Sequence, residues 1–122
     1  MPALEDEQTT ATAAAVARFN AAFDRHDVDG VMAAMTEDCV FENTGPAPDG
    51  QRYAGAAAVR AVWQGFFDAN PEARFEVEDQ FAACDRCVVR WRYDWGQGHV
   101  RGVDIFRVRD GRVAEKLSYV KG

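Results

Sequence analysis

Long apolar runs are missing from this 122-residue sequence. None approaches the ~20 residues needed to cross a bilayer, and the opening MPALEDEQTT has neither the basic nor the greasy part of a secretory signal. Both absences point away from membranes and toward a cytoplasmic location. Cysteine is scarce, with only Cys39, Cys84 and Cys87. Three thiols do not complete a tetrahedral zinc site, and His26 and His99 sit at no ligand spacing, so no metal is expected. Cys84 and Cys87 have the spacing of a dithiol redox pair. Such pairs need a thiolate held at a helix N-terminus after a strand, whereas here they bracket Asp85-Arg86 in a hairpin-turn pattern. No glycine fingerprint joins a strand to a helix, nothing marks a nucleotide, haem or flavin site, and no cofactor is expected. Basic charge is not in excess either. The net charge of −6 disfavours phosphate binding, and no basic groove or recognition helix indicates nucleic acid. The arginines and lysines that gather from Arg86 to Lys121 fall in strand patterns and read as solvent-facing.

What is present suits one cooperative unit. Hydrophobic residues make up 48% of the chain, with 8 Phe, 3 Trp and 3 Tyr as anchors, and a chain near this length buries roughly two-thirds of its extended surface. Residues 1–8 read as a flexible acidic tail and 9–122 as a single domain. Thr9 or Thr10 is suited to cap a helix running to about His26, with Val16, Phe19 and Phe23 on one face. A short helix carrying Val31, Met32 and Met35 follows Asp27-Val28-Asp29-Gly30. Cys39 to Thr44 alternates as a strand, with Cys39, Phe41 and Asn43 on one side. The Gly45–Gly50 stretch is a loop, and a helix over Ala56–Asp68 presents Val59, Val62, Trp63, Phe66 and Phe67 before Asn70-Pro71 stops it. The period then changes to two. Four strands, about Arg74–Phe81, Cys87–Trp95, His99–Arg109 and Arg112–Lys121, are joined by short turns, Asp110-Gly111 being a hairpin signal. The predicted fold is α+β, three helices of the first half packed on a strongly curved antiparallel sheet. Val103 and Ile105 oppose Asp104 and Phe106, so both faces of that strand need cover, which predicts a homodimer through the outer sheet face.

Asp104 is the most informative polar residue. Within GVDIFRV it shares a face with Gly102, Phe106 and Val108, and a carboxylate there is costly to leave ionised without a partner. In an apolar pocket it could accept a carbon-bound proton or donate a hydrogen bond to a developing enolate, chemistry that suits a small apolar carbonyl compound. Phe19, Phe41, Asn43, Trp63, Phe67, Trp91, Tyr93 and Phe106 are the candidate lining, with Asn43 able to orient an oxygen. Arg92 and Asp94 could form a polar relay. They oppose Trp91, Tyr93 and Trp95 on the same strand, so both sets reach one pocket only through a bulge.

The stretches FNAAFDRHDVDGVMAAMTEDCVFEN, YAGAAAVRAVWQGFF and GHVRGVDIFRVRDGRVAEKLSYV resemble the nuclear transport factor 2-like superfamily, especially its SnoaL-like branch. The resemblance implies a cone-shaped α+β fold, usually dimeric, with a pocket between helices and sheet, on a scaffold that hosts isomerases, cyclases, hydrolases and noncatalytic proteins. The tyrosine, base Asp and acidic residue of ketosteroid isomerases fall at Phe19, Asn43 and Asp104. The strand residues of limonene-epoxide hydrolases fall at Phe41 and Asn43, then at Arg92 and Asp94, with a further Asp replaced by Ser118. The proposed acid/base Asp of SnoaL-like cyclases matches Asp104. The resemblance therefore implies an enzyme acting through Asp104, with a noncatalytic small-molecule binder or an epoxide hydrolase-like enzyme as alternatives.

Overall fold

The computed structural model describes the backbone of residues 3–122 and the side chains of residues 7–122. Among these residues the elements run α1 (Ala3–Asp24), α2 (Val28–Ala33), β1 (Met35–Glu42), β2 (Arg52–Ala54), α3 (Ala56–Ala69), β3 (Arg74–Ala83), β4 (Arg86–Asp94), β5 (His99–Arg109) and β6 (Arg112–Val120).

Alanine-rich composition favours α1, and Val16, Phe19 and Phe23 form its buried stripe. The helix is already formed at Ala3, so neither Thr9 nor Thr10 caps it. Thr9 instead accepts a hydrogen bond from the Cys84 amide at 3.0 Å, and the Thr12 hydroxyl donates to the Cys84 carbonyl at 2.6 Å. Two hydroxyls on one helical face thus fasten α1 to the β3–β4 turn. Of the tail expected over residues 1–8, Met1 and Pro2 lie outside the described residues. Asp27 caps α2 through the Gly30 amide at 3.0 Å. Helix α3 buries Val59, Trp63 and Phe67 at four-residue steps and ends where Asn70 donates back to the Phe66 carbonyl.

All strands join one six-stranded sheet in the order β2-β1-β6-β5-β4-β3. Strands β3 to β6 form the antiparallel meander, and Asp110 (φ 53°) and Gly111 (φ 76°) adopt the left-handed pair that a two-residue hairpin requires. Met35 belongs to β1, not to the preceding helix. The sheet is not wholly antiparallel, because β1 runs parallel to β6.

The strongly curved, cone-shaped sheet expected from the sequence is not what forms. The sheet is open, neither strongly curled nor closed. Closure would require β2 to hydrogen-bond β3, and these strands occupy opposite edges. Cover for the inner face comes from α1, lying against β3 to β6, and from α3, lying against β1 and β2.

Two register breaks decide which side chains face inward. In β3, Val77 pairs with Trp91 and Asp79 with Arg90, so Glu78 is the extra residue and Asp79 leaves the Phe75 face on which strict alternation places it. In β6, Val108 pairs with Val113 and Arg107 with Glu115, so Ala114 is extra. From that point Lys116 and Ser118 face inward, while Leu117 and Tyr119 turn outward.

Candidate functional site

The inner faces of the strands and the underside of α3 enclose a pocket of about 370 Å³. Its walls are aromatic, with Phe23 from α1, Phe41 from β1, Trp63 and Phe66 from α3, Phe75 from β3, and Trp91 and Tyr93 from β4. Trp91 fits because its strand neighbour is Gly102, where a Cβ would sit 2.6 Å from the indole. Trp95 and Val120, each 41% exposed, mark the solvent side, whereas Asp104 at 0% and Lys116 at 6% lie deep.

The deep end is polar. Asp104 on β5 stands directly opposite Ser118 on β6, and the Ser118 hydroxyl donates to Asp104 Oδ1 at 2.7 Å. Lys116 Nζ donates to Ser118 Oγ at 2.9 Å and forms an ion pair with Asp104 Oδ2 at 3.4 Å. The ammonium also lies 4.7 Å from the Phe41 ring centroid, 5.2 Å from Trp63 and 5.6 Å from Phe23, within cation–π range of all three. Burial pushes the Lys116 pKa below its ordinary value, against the opposing pull of Asp104. Burial likewise pushes the Tyr93 phenol up to about 12.

Four polar atoms on pocket-lining residues have no hydrogen-bond partner among the described residues: Asp104 Oδ2, Trp63 Nε1, Trp91 Nε1 and the Tyr93 hydroxyl. Buried polar groups are costly to leave unsatisfied. Three donors and one carboxylate oxygen are therefore the groups a polar ligand would satisfy. Chemically, the arrangement offers a sheltered carboxylate with a neighbouring ammonium, and donors for an oxygen on the ligand.

Of the residues singled out from sequence, Phe41, Asn43, Trp63, Trp91, Tyr93 and Asp104 line this pocket. Phe19, Phe67 and Phe106 do not. Phe19 is wholly buried and packs edge-on to Trp63 and Phe106, and Phe67 stacks on His26 at 4.8 Å. These three rings belong to the core behind the pocket. Asn43 Oδ1 accepts from the Thr44 amide at 2.8 Å, tying the following loop to the end of β1. Arg92 and Asp94 are bonded to each other at 3.1 Å on the face opposite Trp91 and Tyr93, away from the pocket. No bulge interrupts β4 against β5, so alternation holds there and the aromatic residues take the inside.

Lys116 escaped the sequence reading. Strict alternation from the buried Val113 sends it outward and brings Glu115, Leu117 and Tyr119 in, a set in which two of three side chains are largely apolar. Only the extra residue at Ala114 reverses this, and a bulge at an alanine leaves no mark in the sequence. Phe23 and Phe66 were legible as apolar-face residues, but not as pocket walls.

The chain matches the family model of the SnoaL-like domain over residues 16–116. A nuclear transport factor 2-like protein of unknown function from Mesorhizobium loti is 44% identical, with 94% of each chain covered and a TM-score of 0.84. A protein from a soil-derived mobile gene cassette shares the fold at 18% identity, covering 93% of this chain and 91% of its own, with a TM-score of 0.80. An LEH-like epoxide hydrolase from M. tuberculosis shares it at 24% identity, 93% and 84% coverage and a TM-score of 0.72. Among curated proteins nothing matches the chain. The family match spans most of the chain and the Mesorhizobium protein aligns over nearly its full length, and on both grounds the chain belongs to the SnoaL-like family of the nuclear transport factor 2-like superfamily.

Proposed function

We propose that the protein binds a small apolar carbonyl compound in the aromatic pocket and that Asp104 transfers a proton at the carbon next to the carbonyl. The observation that carries this reading is the Asp104 carboxylate, wholly buried among aromatic walls, with Oδ2 ion-paired to Lys116 at 3.4 Å and without a hydrogen bond among the described residues. A carboxylate lining the pocket wall out of bulk water stands where it can take a proton from a bound carbon acid. The unpartnered donors of Trp63, Trp91 and Tyr93 suit the oxygen on which negative charge develops. The walls leave apolar surface for the remainder of the ligand.

The test is exchange of the protons next to the carbonyl of acetophenone and related aryl ketones in heavy water, followed by NMR. The expected outcome is acceleration of about 10²–10⁴-fold over buffer, lost in Asp104→Asn. Equal exchange by the wild type and that variant removes Asp104 as the base. Binding without turnover is the second reading, favoured by Phe19, which has no hydroxyl, and by Asn43, whose Oδ1 is already engaged by Thr44. Saturable ketone binding with no exchange would establish it.

We propose also that two copies associate through the outer sheet face. Phe81, Val88, Ile105 and Leu117 fall in register on four adjacent strands of that face, next to Tyr119. Phe81 is 61% exposed and Tyr119 52%, a large apolar area to leave in water. Sedimentation as a monomer at micromolar concentration would overturn this.

A further inference from the structure

We infer that Lys116 is a nucleophilic amine that condenses with the carbonyl carbon of a ketone or aldehyde held in the pocket, forming an imine, with Asp104 and Ser118 moving the protons. The inference rests on the carbonyl-binding reading above and gives Lys116 a covalent part in it.

The chain contains two lysines, Lys116 and Lys121, against twelve arginines. Among the described residues, the cation buried in the pocket wall belongs to a residue that can lose its proton. An arginine there would keep its charge and have no usable lone pair. Lys116 Nζ reaches the pocket at the meeting point of Phe41, Trp63 and Phe23, and the same apolar surroundings that shelter a ligand disfavour the charged amine. The hydrogen bonds from Nζ to Ser118 Oγ and from Ser118 to Asp104 Oδ1 form a continuous path for a proton.

The steps balance along that path. The ammonium gives one proton through Ser118 to the Asp104 carboxylate, leaving a neutral amine and a neutral acid. The nitrogen lone pair forms a bond to the carbonyl carbon while the carbonyl π pair moves to oxygen. A proton passes from nitrogen to that oxygen, giving a carbinolamine. Asp104 then protonates the hydroxyl, which leaves as water as the nitrogen lone pair forms the second C–N bond. The products are an iminium on Lys116, one water and an ionised Asp104. The iminium withdraws electrons from the adjacent carbon, and the regenerated Asp104 carboxylate is the base that proton transfer there needs.

Benzoylacetone is a suitable probe because its condensation with an amine loses one water and yields a conjugated enaminone, seen as a new near-ultraviolet band. Incubated with the whole protein, it is expected to add one equivalent, with a mass gain equal to the probe less water, mapped by peptide mass spectrometry to Lys116 and not to the exposed Lys121. Lys116→Met and Lys116→Arg, each checked for native far-ultraviolet circular dichroism, should give no adduct. Ser118→Ala should slow its formation by about 10²-fold, the lower end of what one proton-transfer element contributes. The mapping in the wild type stands even if a variant misfolds. Quenching of tryptophan emission by benzoylacetone with no adduct, or an adduct on Lys121 alone, overturns the imine and leaves the binding reading intact. Neither quenching nor adduct overturns both.

Discussion

Removing either member of the Asp104–Lys116 pair alone should destabilise the protein far more than removing both. The side chains are 1% and 7% exposed, and Nζ lies 3.4 Å from Oδ2. At an effective dielectric constant of ~20 their attraction is about 5 kcal/mol, offset by desolvation of several kcal/mol per ion. Lys116→Met strands the carboxylate. Neutralising a carboxyl of ordinary pKa ~3.9 at pH 7 costs about 4 kcal/mol, which caps the loss. Asp104→Leu strands the ammonium, and its neutralisation from ~10.4 costs about 5 kcal/mol. Each single variant should therefore lose roughly 3–5 kcal/mol, while the double variant, with apolar groups in an apolar site, should fall within about 1 kcal/mol of wild type or exceed it. Urea unfolding of all four proteins at pH 7, with linear extrapolation, measures the coupling. Additive effects, with coupling under about 0.5 kcal/mol, would refute the reasoning, since they would mean the two groups do not feel each other. The pH dependence is a second check. Burial lowers the Lys116 pKa, so between that value and ~10.4 the unfolded chain binds the extra proton, and stability rises with pH. Asp104→Leu, which removes the attraction opposing the shift, should recover stability relative to the double variant as pH approaches ~10.4.

Gly102→Ala places a Cβ 2.2 Å from the Tyr119 carbonyl oxygen and 2.6 Å from Trp91, and should cost about 1–3 kcal/mol while shifting tryptophan emission as the indole is displaced; unchanged stability and emission would refute the packing argument. Asp24 accepts two bonds from the Arg74 guanidinium and one from the Phe75 amide, and the Arg74 bond holds its carboxyl below the ordinary value. Its contribution, about 1 kcal/mol for a half-open pair, is present above ~3.9 and fades as pH falls through the lowered value, so wild type and Asp24→Asn should converge in acid unfolding and differ at pH 7. The Tyr93 phenol should ionise near 12, seen as the ultraviolet difference between wild type and Tyr93→Phe; a step near the ordinary ~10 would contradict its burial.

Local pattern was enough to specify α3, the meander and the body of α1 though not its start, because each shows its own period or stop: Phe19 and Phe23 on a helical face, Asn70-Pro71 after α3, Asp110-Gly111 between β5 and β6. It also grouped Trp91 with Tyr93 on one face of β4 and Asp104 with Phe106 on one face of β5, since no bulge interrupts the pairing of these strands, while which face turns inward was left to the tertiary structure. Arg92 and Asp94 fell to the opposite face for the same reason.

Pairing across the chain was another matter. Whether β1 lies beside β6, and in which direction, depends on contacts between residues more than seventy positions apart, as Met35 and Val113 show, and no nearby residue encodes them. The openness of the sheet follows from which strands become its edges, again a property of the whole. Alternation by itself set Asp104 on one face with Phe106, opposite Val103 and Ile105, but both of those faces carry apolar side chains, so only the packing of the helices decided that the Asp104 face turned inward. The ammonium partner of Asp104 was decided only by the tertiary structure, because one extra backbone residue at Ala114 reverses every side chain that follows in β6, a strand paired on both flanks to segments distant in the chain or across a turn.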